Sequence, residues 1–376
     1  MIDRRQVMQF RVGAQQLDRA EGTPADTAVL DIGVQDTGPD GGRWALALRG
    51  VEVTAPVTDD LILLWTVRGA PHLYRRADVA EVAGAVAPYS DADAGKRLYD
   101  AARPLKAAGI GNLAALDEVA ARMRAVVTTP TVKGDVSGRL AELLPEPYLR
   151  FCRPCAATHL YEMPFRLAAV RAGLELRPGT SPPVLHRIPG FTRAAPPGDR
   201  FDLVRAYLRL LGPATPKQVA DYLDAPVRDV RARWPQDVVE VRVDGEARSL
   251  LAADESALAG AADTTAVRLL GPFDLFLQAR DRATLVPDAA HAKQLWPVLG
   301  RPGAVLAGGE IVGTWRPRKA GRTLTLAVQP WRRLSAAVHD GIVAQAQRLA
   351  AHRGLARVDV DVDGRRLTPA HGTGGG

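Results

Sequence analysis

Cysteine is nearly absent from this chain: two in 376 residues, Cys152 and Cys155, too few for a disulfide framework. Aromatic residues are also scarce, at 5%. No apolar run approaches the roughly 18 residues that a membrane span requires. The opening Met-Ile-Asp-Arg-Arg has none of the apolar core of a secretory signal. These absences lead to the expectation of a soluble, cytoplasmic protein with no membrane partner. Missing too are G-x-S-x-G, the Walker loop, H-E-x-x-H and the dinucleotide fingerprint, so the known hydrolase, kinase and dehydrogenase signals are excluded.

The cysteines themselves form one motif, Cys152-Arg-Pro-Cys155, with His159 four residues on. Two thiolates and an imidazole supply three ligands where a structural zinc takes four, and no second C-x-x-C or H-x-x-x-H follows. A fourth ligand would have to come from a lone histidine or carboxylate, and a redox pair is an alternative. The reading preferred on sequence is no metal and no cofactor: two small half-buried residues ahead of a helix whose first turn holds His159.

What the chain has is arginine. Lys+Arg total 49 against 42 Asp+Glu, a net charge of +7, and the planar guanidinium suits bidentate phosphate contacts. High Ala, Arg, Gly and Pro with little Lys also fits a GC-rich coding sequence, so where the charge sits says more than its total. Residues 201–251 read as a complete winged helix. The amphipathic Phe201–Leu211 stops at Gly212-Pro213, since proline cannot continue a helix. Thr215-Pro216 opens a second helix. A third pattern after Pro226 carries Arg228, Arg231 and Arg233. Val239, Val241 and Val243 then alternate with polar residues, Asp244-Gly245 turns, and Arg248–Leu251 returns. Two helices at a tight turn, a basic third helix and a hairpin make a nucleic-acid docking unit.

A similar rhythm of helices in the earlier segments predicts an α+β fold of three tandem winged-helix domains followed by a β-rich C-terminal domain with a closing helix. The expected boundaries are 1–88 and 89–195, the latter ending in a Pro-rich linker over 178–198, then 196–255, 264–366, and a disordered tail, 367–376. Leu61–Val67 reads as a buried strand or short core helix, and helical patterns run over 113–126, 136–144 and 158–172. In the last segment Gly308-Gly309 joins two strands as a hairpin. The second strand enters Arg316-Pro-Arg-Lys-Ala-Gly-Arg322, a reversal where Arg316, Arg318, Lys319 and Arg322 crowd a loop tip. Like charges at one tip repel, so the arrangement is favourable mainly when an anion neutralises it; the alternative is a solvated turn. Asp274 and Asp281-Arg282 read equally as structural ion pairs or as catalytic groups.

Five stretches carry a resemblance: Gly33-Val-Gln-Asp-Thr-Gly-Pro39, Arg68-Gly-Ala-Pro-His-Leu73, Cys152–Glu162, Leu269-Leu-Gly-Pro-Phe-Asp274 and Gly309–Arg318. Together they are specific, and over most of residues 1 to 335 the chain resembles the bacterial AlkZ/YcaQ-like DNA glycosylases. The resemblance implies three winged helices, double-stranded DNA as partner, a monomer in the nucleoid, and monofunctional hydrolysis of the N-glycosidic bond of alkylated purines or crosslinks. It also implies a Gln-x-Gln or Gln-x-Asp motif that holds water against the anomeric carbon. Gln35 matches the first position, Thr37 stands at the third, and Asp36 lies between. Threonine can hold water but cannot take its proton near neutral pH, so Asp36 or Thr37 is expected to assist Gln35. Arg316, Arg318, Lys319, Arg322, Lys133 and His72 are the expected DNA contacts, with His72 equally readable as a structural histidine. The alternative function is a non-catalytic winged-helix DNA-binding protein or transcriptional regulator.

Overall fold

Leu61–Trp65 lies at the centre of the amino-terminal half as a strand, all five side chains buried. A short continuous apolar run bounded by a turn fits a strand covered on both faces, and the chain reverses after it at Arg68 and Gly69, both at positive φ. The computed structural model describes residues 2–53, 57, 59–193 and 196–367. Its strand order around this centre is Val34–Gln35, Pro71–Arg75, Leu61–Trp65, Leu174–Leu176, Val184–Arg187, Thr131–Val132, with every pairing antiparallel. The helix Glu162–Arg171 packs on it, Phe165 meeting Trp65 edge-on at 5.9 Å, and Asn112–Val126 packs against that helix. One sheet therefore crosses the division expected near residue 88. The Pro-rich stretch is more than a linker, because Val184–Arg187 within it is a strand of that sheet.

The pattern over 158–172 resolves into a strand, Ala157–Leu160, and then the helix. His159 consequently lies on a strand that pairs with Leu149–Cys152, and not in a helical first turn.

Between residues 203 and 251 run the helices Leu203–Leu211, Pro216–Leu223 and Val227–Arg231, then the hairpin Val238–Val243/Glu246–Leu251. Thr215 and Gln218 form a reciprocal capping box. Asp244 and Gly245 both take positive φ, the conformation a two-residue hairpin turn demands.

The last segment is a second six-stranded sheet, ordered Val267–Leu270, Gly303–Ala307, Glu310–Ala320, Thr323–Pro330, Arg357–Val362, Arg365–Leu367. The helix Ala336–His352 crosses over it and makes the one parallel pairing possible. Glu310–Ala320 is eleven residues long, so Arg316, Arg318 and Lys319 sit along a strand and only Arg322 sits at the turn. This corrects the expected loop-tip cluster. Side chains alternate along a strand: Arg316 and Arg318 face with Ala327 and Thr325, whereas Lys319 lies opposite Leu324 on the side of the closing helix. Apart from Leu367, the expected tail lies outside the described residues.

Buried ion pairs tie the parts together. Arg49 grips Asp274 with two hydrogen bonds of 2.8 and 2.9 Å, both side chains shut from solvent. Asp281 receives Arg11 bidentately and Arg248 at 2.7 Å. Both carboxylates are thus structural partners of arginine. Removing one member strands a buried charge. Asp274→Ala is expected to cost about 3–5 kcal/mol of unfolding free energy, against less than about 1 kcal/mol for Asp263→Ala, the exposed partner of Arg5. Urea denaturation of the two variants checks the contrast.

Candidate active site and nucleic-acid interface

Gln35 ends the two-residue strand Val34–Gln35, registered against Leu73 and His72. The chain turns away at Gly38, whose φ is +91°. This places Gln35, Asp36 and Thr37, all half-buried, at the mouth of the sheet. The Gln35 Nε2 donates to Thr37 Oγ1 at 3.0 Å, which fixes the amide and turns its carbonyl oxygen away from Thr37. The Asp36 amide donates to Pro71 O, and Asp36 Oδ1 accepts from the Gly42 amide at 2.8 Å, at the start of the helix Gly41–Ala47. Gly42 is needed there, because a Cβ would stand 3.0 Å from Asp36 Oδ1 and 2.8 Å from a Leu73 methyl.

Burial raises the Asp36 pKa above the ordinary carboxylate value, opposed by the Gly42 amide and by Arg43. Asp36 also lines a cavity of about 260 Å³ floored by Leu63, Trp65, Pro71 and Leu176. Gln35 is outside that lining.

His72 is 1% exposed. Its Nδ1 lies 2.9 Å from Ala70 O and 3.0 Å from Thr66 Oγ1. Burial, reinforced by Arg68, depresses its pKa to about 3. A neutral, enclosed imidazole cannot contact a phosphate, so the expected DNA contact at His72 is corrected to a structural role. Lys133 spends its charge locally, bonded to both Glu162 oxygens at 2.9 and 2.8 Å.

On the far side of the Pro39–Asp40 turn, a groove of about 870 Å³ runs to the basic strand. Arg43, Lys319, Arg348, Arg353 and His352 line it, with Asp40 and Glu52. Arg353 holds Asp40 at 2.6 and 3.0 Å and Arg348 holds Glu52 at 2.8 Å. Arg43 and Lys319 are left without a carboxylate among the described residues, so the groove is positive next to the motif turn. Arg316, Arg318 and Arg322 are exposed and likewise carry no ion pair to a described residue. Arg43, Arg348 and Arg353 escape sequence reading because nothing local marks them. Arg348 and Arg353 come from a helix end about 300 residues away from Asp40 and Glu52. The Gly41-Gly42 pair is the only local hint of the tight approach to Asp36.

A family model described as AlkZ-like DNA glycosylase matches residues 29–352, most of the chain. The chain belongs to the AlkZ-like DNA glycosylase family. Among solved structures, the DNA glycosylase AlkZ of Streptomyces sahachiroi is similar in fold, with a TM-score of 0.71 at 21% identity. That alignment covers 95% of this chain and 98% of AlkZ. No curated protein matches the chain by sequence. No helix among the described residues is long and apolar enough to cross a membrane.

The His72 environment gives a pH prediction. The folded pKa lies below the unfolded one, so protonation favours the unfolded chain. The stability His72 contributes is present above pH ~6.5 and is lost as pH falls toward its folded value of about 3. At pH 5 the loss is about 2 kcal/mol relative to pH 7. In His72→Gln the difference between urea unfolding at pH 7 and pH 5 should shrink by that amount. An unchanged difference would contradict the neutral, enclosed imidazole.

Proposed function

We propose that this chain is a monofunctional DNA glycosylase that hydrolyses the N-glycosidic bond of cationic alkylated purines in duplex DNA. The observation that carries the reading is the Gln35–Asp36–Thr37 turn, which sets a fixed amide and a desolvated carboxylate between an apolar-floored cavity and a positive groove. Within a family of DNA glycosylases, that is the place where a water and a damaged nucleotide would meet.

In this mechanism the Gln35 carbonyl oxygen accepts a hydrogen bond from the attacking water. Thr37 acts one step back, holding the Gln35 amide nitrogen so that its oxygen is left for the water. The water oxygen bonds to C1′ as the glycosidic bond breaks. The bonding pair passes to the alkylated ring and cancels its positive charge. The leaving base therefore needs no general acid, and the transition state needs only an oriented water and a negative charge near the oxocarbenium-like sugar. Asp36 supplies that charge and receives the water's proton. Its raised pKa makes it a better base than an exposed aspartate.

The exposed cations of the strand Glu310–Ala320 and its turn would grip the phosphate backbone. The helix–helix–helix–hairpin order at 203–251 supports a winged helix over 196–255. The shared six-stranded sheet suggests that the two winged helices proposed for 1–88 and 89–195 work as one platform.

Duplex oligonucleotides carrying N7-methylguanine, treated with protein and then alkali, test the reading. The wild type should yield strand breaks, and Gln35→Ala should be slower by about 100-fold or more. No breaks from the wild type, with duplex binding intact, would leave a non-catalytic DNA-binding protein or regulator. The acid limb of the rate profile reports Asp36: activity rises with pH as the carboxylate ionises, at a midpoint above the ordinary aspartate value. Asp36→Asn should lack that limb.

Duplex affinity against salt tests the basic strand. Replacing Arg316, Arg318 and Lys319 with alanine should flatten the log–log slope by about 0.9 for each phosphate no longer neutralised. An unchanged slope would move the DNA elsewhere.

A further inference from the structure

The hairpin Leu149–Cys152/Ala157–Leu160 lines neither the groove nor the Asp36 cavity, and its chemistry is unused by the proposed reaction. Arg150 pairs with His159 and Cys152 with Ala157. Cross-strand partners share a face and so do residues two apart, so Cys152 and His159 project from the same side. The Arg153–Ala156 turn, with Ala156 at a φ of +49°, brings Cys155 round to meet them. The two sulfurs and an imidazole nitrogen all lie within 4.8 Å of one another.

Two further features match what a cation would require. His159 Nδ1 sits 3.0 Å from Leu160 O, so it carries the proton and leaves Nε2 with its lone pair free. A carbonyl partner fixing the tautomer and ring of a metal-binding histidine is the usual outer-shell arrangement. Both cysteines are free thiols, Cys152 half-buried and Cys155 exposed, so an ion can reach them.

We propose that Cys152 Sγ, Cys155 Sγ and His159 Nε2 bind one thiophilic divalent cation, with Zn²⁺ the fitting ion and a water in the fourth tetrahedral position. With Zn–S near 2.3 Å and Zn–N near 2.0–2.1 Å, tetrahedral ligand atoms stand about 3.6–3.8 Å apart. The present spacing reaches that by closing roughly 1 Å, within side-chain rotation on an exposed turn. No fourth His, Cys, Asp or Glu joins the cluster among the described residues, which leaves the last position to solvent. Binding releases the two thiol protons, and two thiolates cancel the charge of the ion. The resulting neutral site is compatible with Lys133 and Arg150 nearby, the cations felt by Cys155. The ion would cross-link the turn to both strands and stiffen a hairpin that holds Phe151, 65% exposed, toward solvent.

Cobalt titration of the reduced full-length protein under argon tests the site. The expected result is one equivalent bound, a sulfur-to-cobalt charge-transfer band in the near ultraviolet, tetrahedral d–d bands, and displacement by one equivalent of Zn²⁺. Cys152→Ser and Cys155→Ser should each weaken that band and the affinity. His159→Ala should shift the d–d bands while the charge transfer remains. Absence of the charge-transfer band in the reduced wild type overturns the proposal and needs no variant. So does a spectrum that His159→Ala leaves untouched. Protein that holds Cys152 and Cys155 as a disulfide before reduction and takes up no cobalt afterwards would make the pair a redox couple instead.

Discussion

Asp274 and Asp281 are carboxylates with almost no solvent contact, and each is held by guanidinium groups from distant parts of the chain. Arg49 reaches Asp274 from the end of the helix that begins beside Asp36, and its guanidinium also donates to Gln15 and to Ala45 O. Arg11 and Arg248 converge on Asp281 from the first helix and from the hairpin Glu246–Leu251. Desolvating such charges costs several kcal/mol per ion, which is recovered only when the geometry is close and the remaining donors are satisfied. The arrangement is therefore weak as a source of net stability and strict as a specification of position: any other docking of these segments leaves a bare charge in the interior. Trp44, donating to Leu269 O, adds an apolar weld at the same seam.

The proposed site inherits that strictness. Gly41–Ala47 presents the Gly42 amide to Asp36 at one end and leads into Arg49 at the other. Fixing Arg49 on Asp274 thus fixes the helix that caps the Asp36 carboxylate. Arg353–Asp40 and Arg348–Glu52 close the same junction from the carboxy-terminal helix. Lys319 enters the groove because its strand belongs to the sheet that supplies Leu269, Leu270 and their neighbours to the seam.

Sequence is legible here wherever local rules govern. Thr215-Pro216, Asp244-Gly245 and Gly308-Gly309 each mark the cap or turn that the backbone makes, because those conformations demand those residues. The motif Gly33–Pro39 is visible only through likeness to a family. Its chemistry depends on burial and on Gly42 and Arg43, which no spacing rule connects to it. The basic run at 316–322 reads as a loop tip because its charges mask strand alternation, while the register with 323–330 shows an extended ribbon. Residues 158–160 read as helix because the helix from Glu162 follows at once. The Pro-rich stretch conceals a strand four residues long. His72 reads equally as a DNA contact or a structural histidine, because its packing against Thr66 and Tyr74 is not displayed by sequence.

Native-state hydrogen exchange tests most directly whether the buried arginine–aspartate seam makes one body of the two six-stranded sheets. If it does, amides of Leu61–Trp65 and Pro71–Arg75 exchange only through global unfolding. Amides of Gly303–Ala307 and Thr323–Pro330 should share that opening free energy and the same denaturant dependence. If the second set opens several kcal/mol more easily while the first stays protected, the carboxy-terminal sheet is an independent unit. The groove beside Gln35 would then not be a fixed feature of the protein, and the buried seam would not be what holds the site in place.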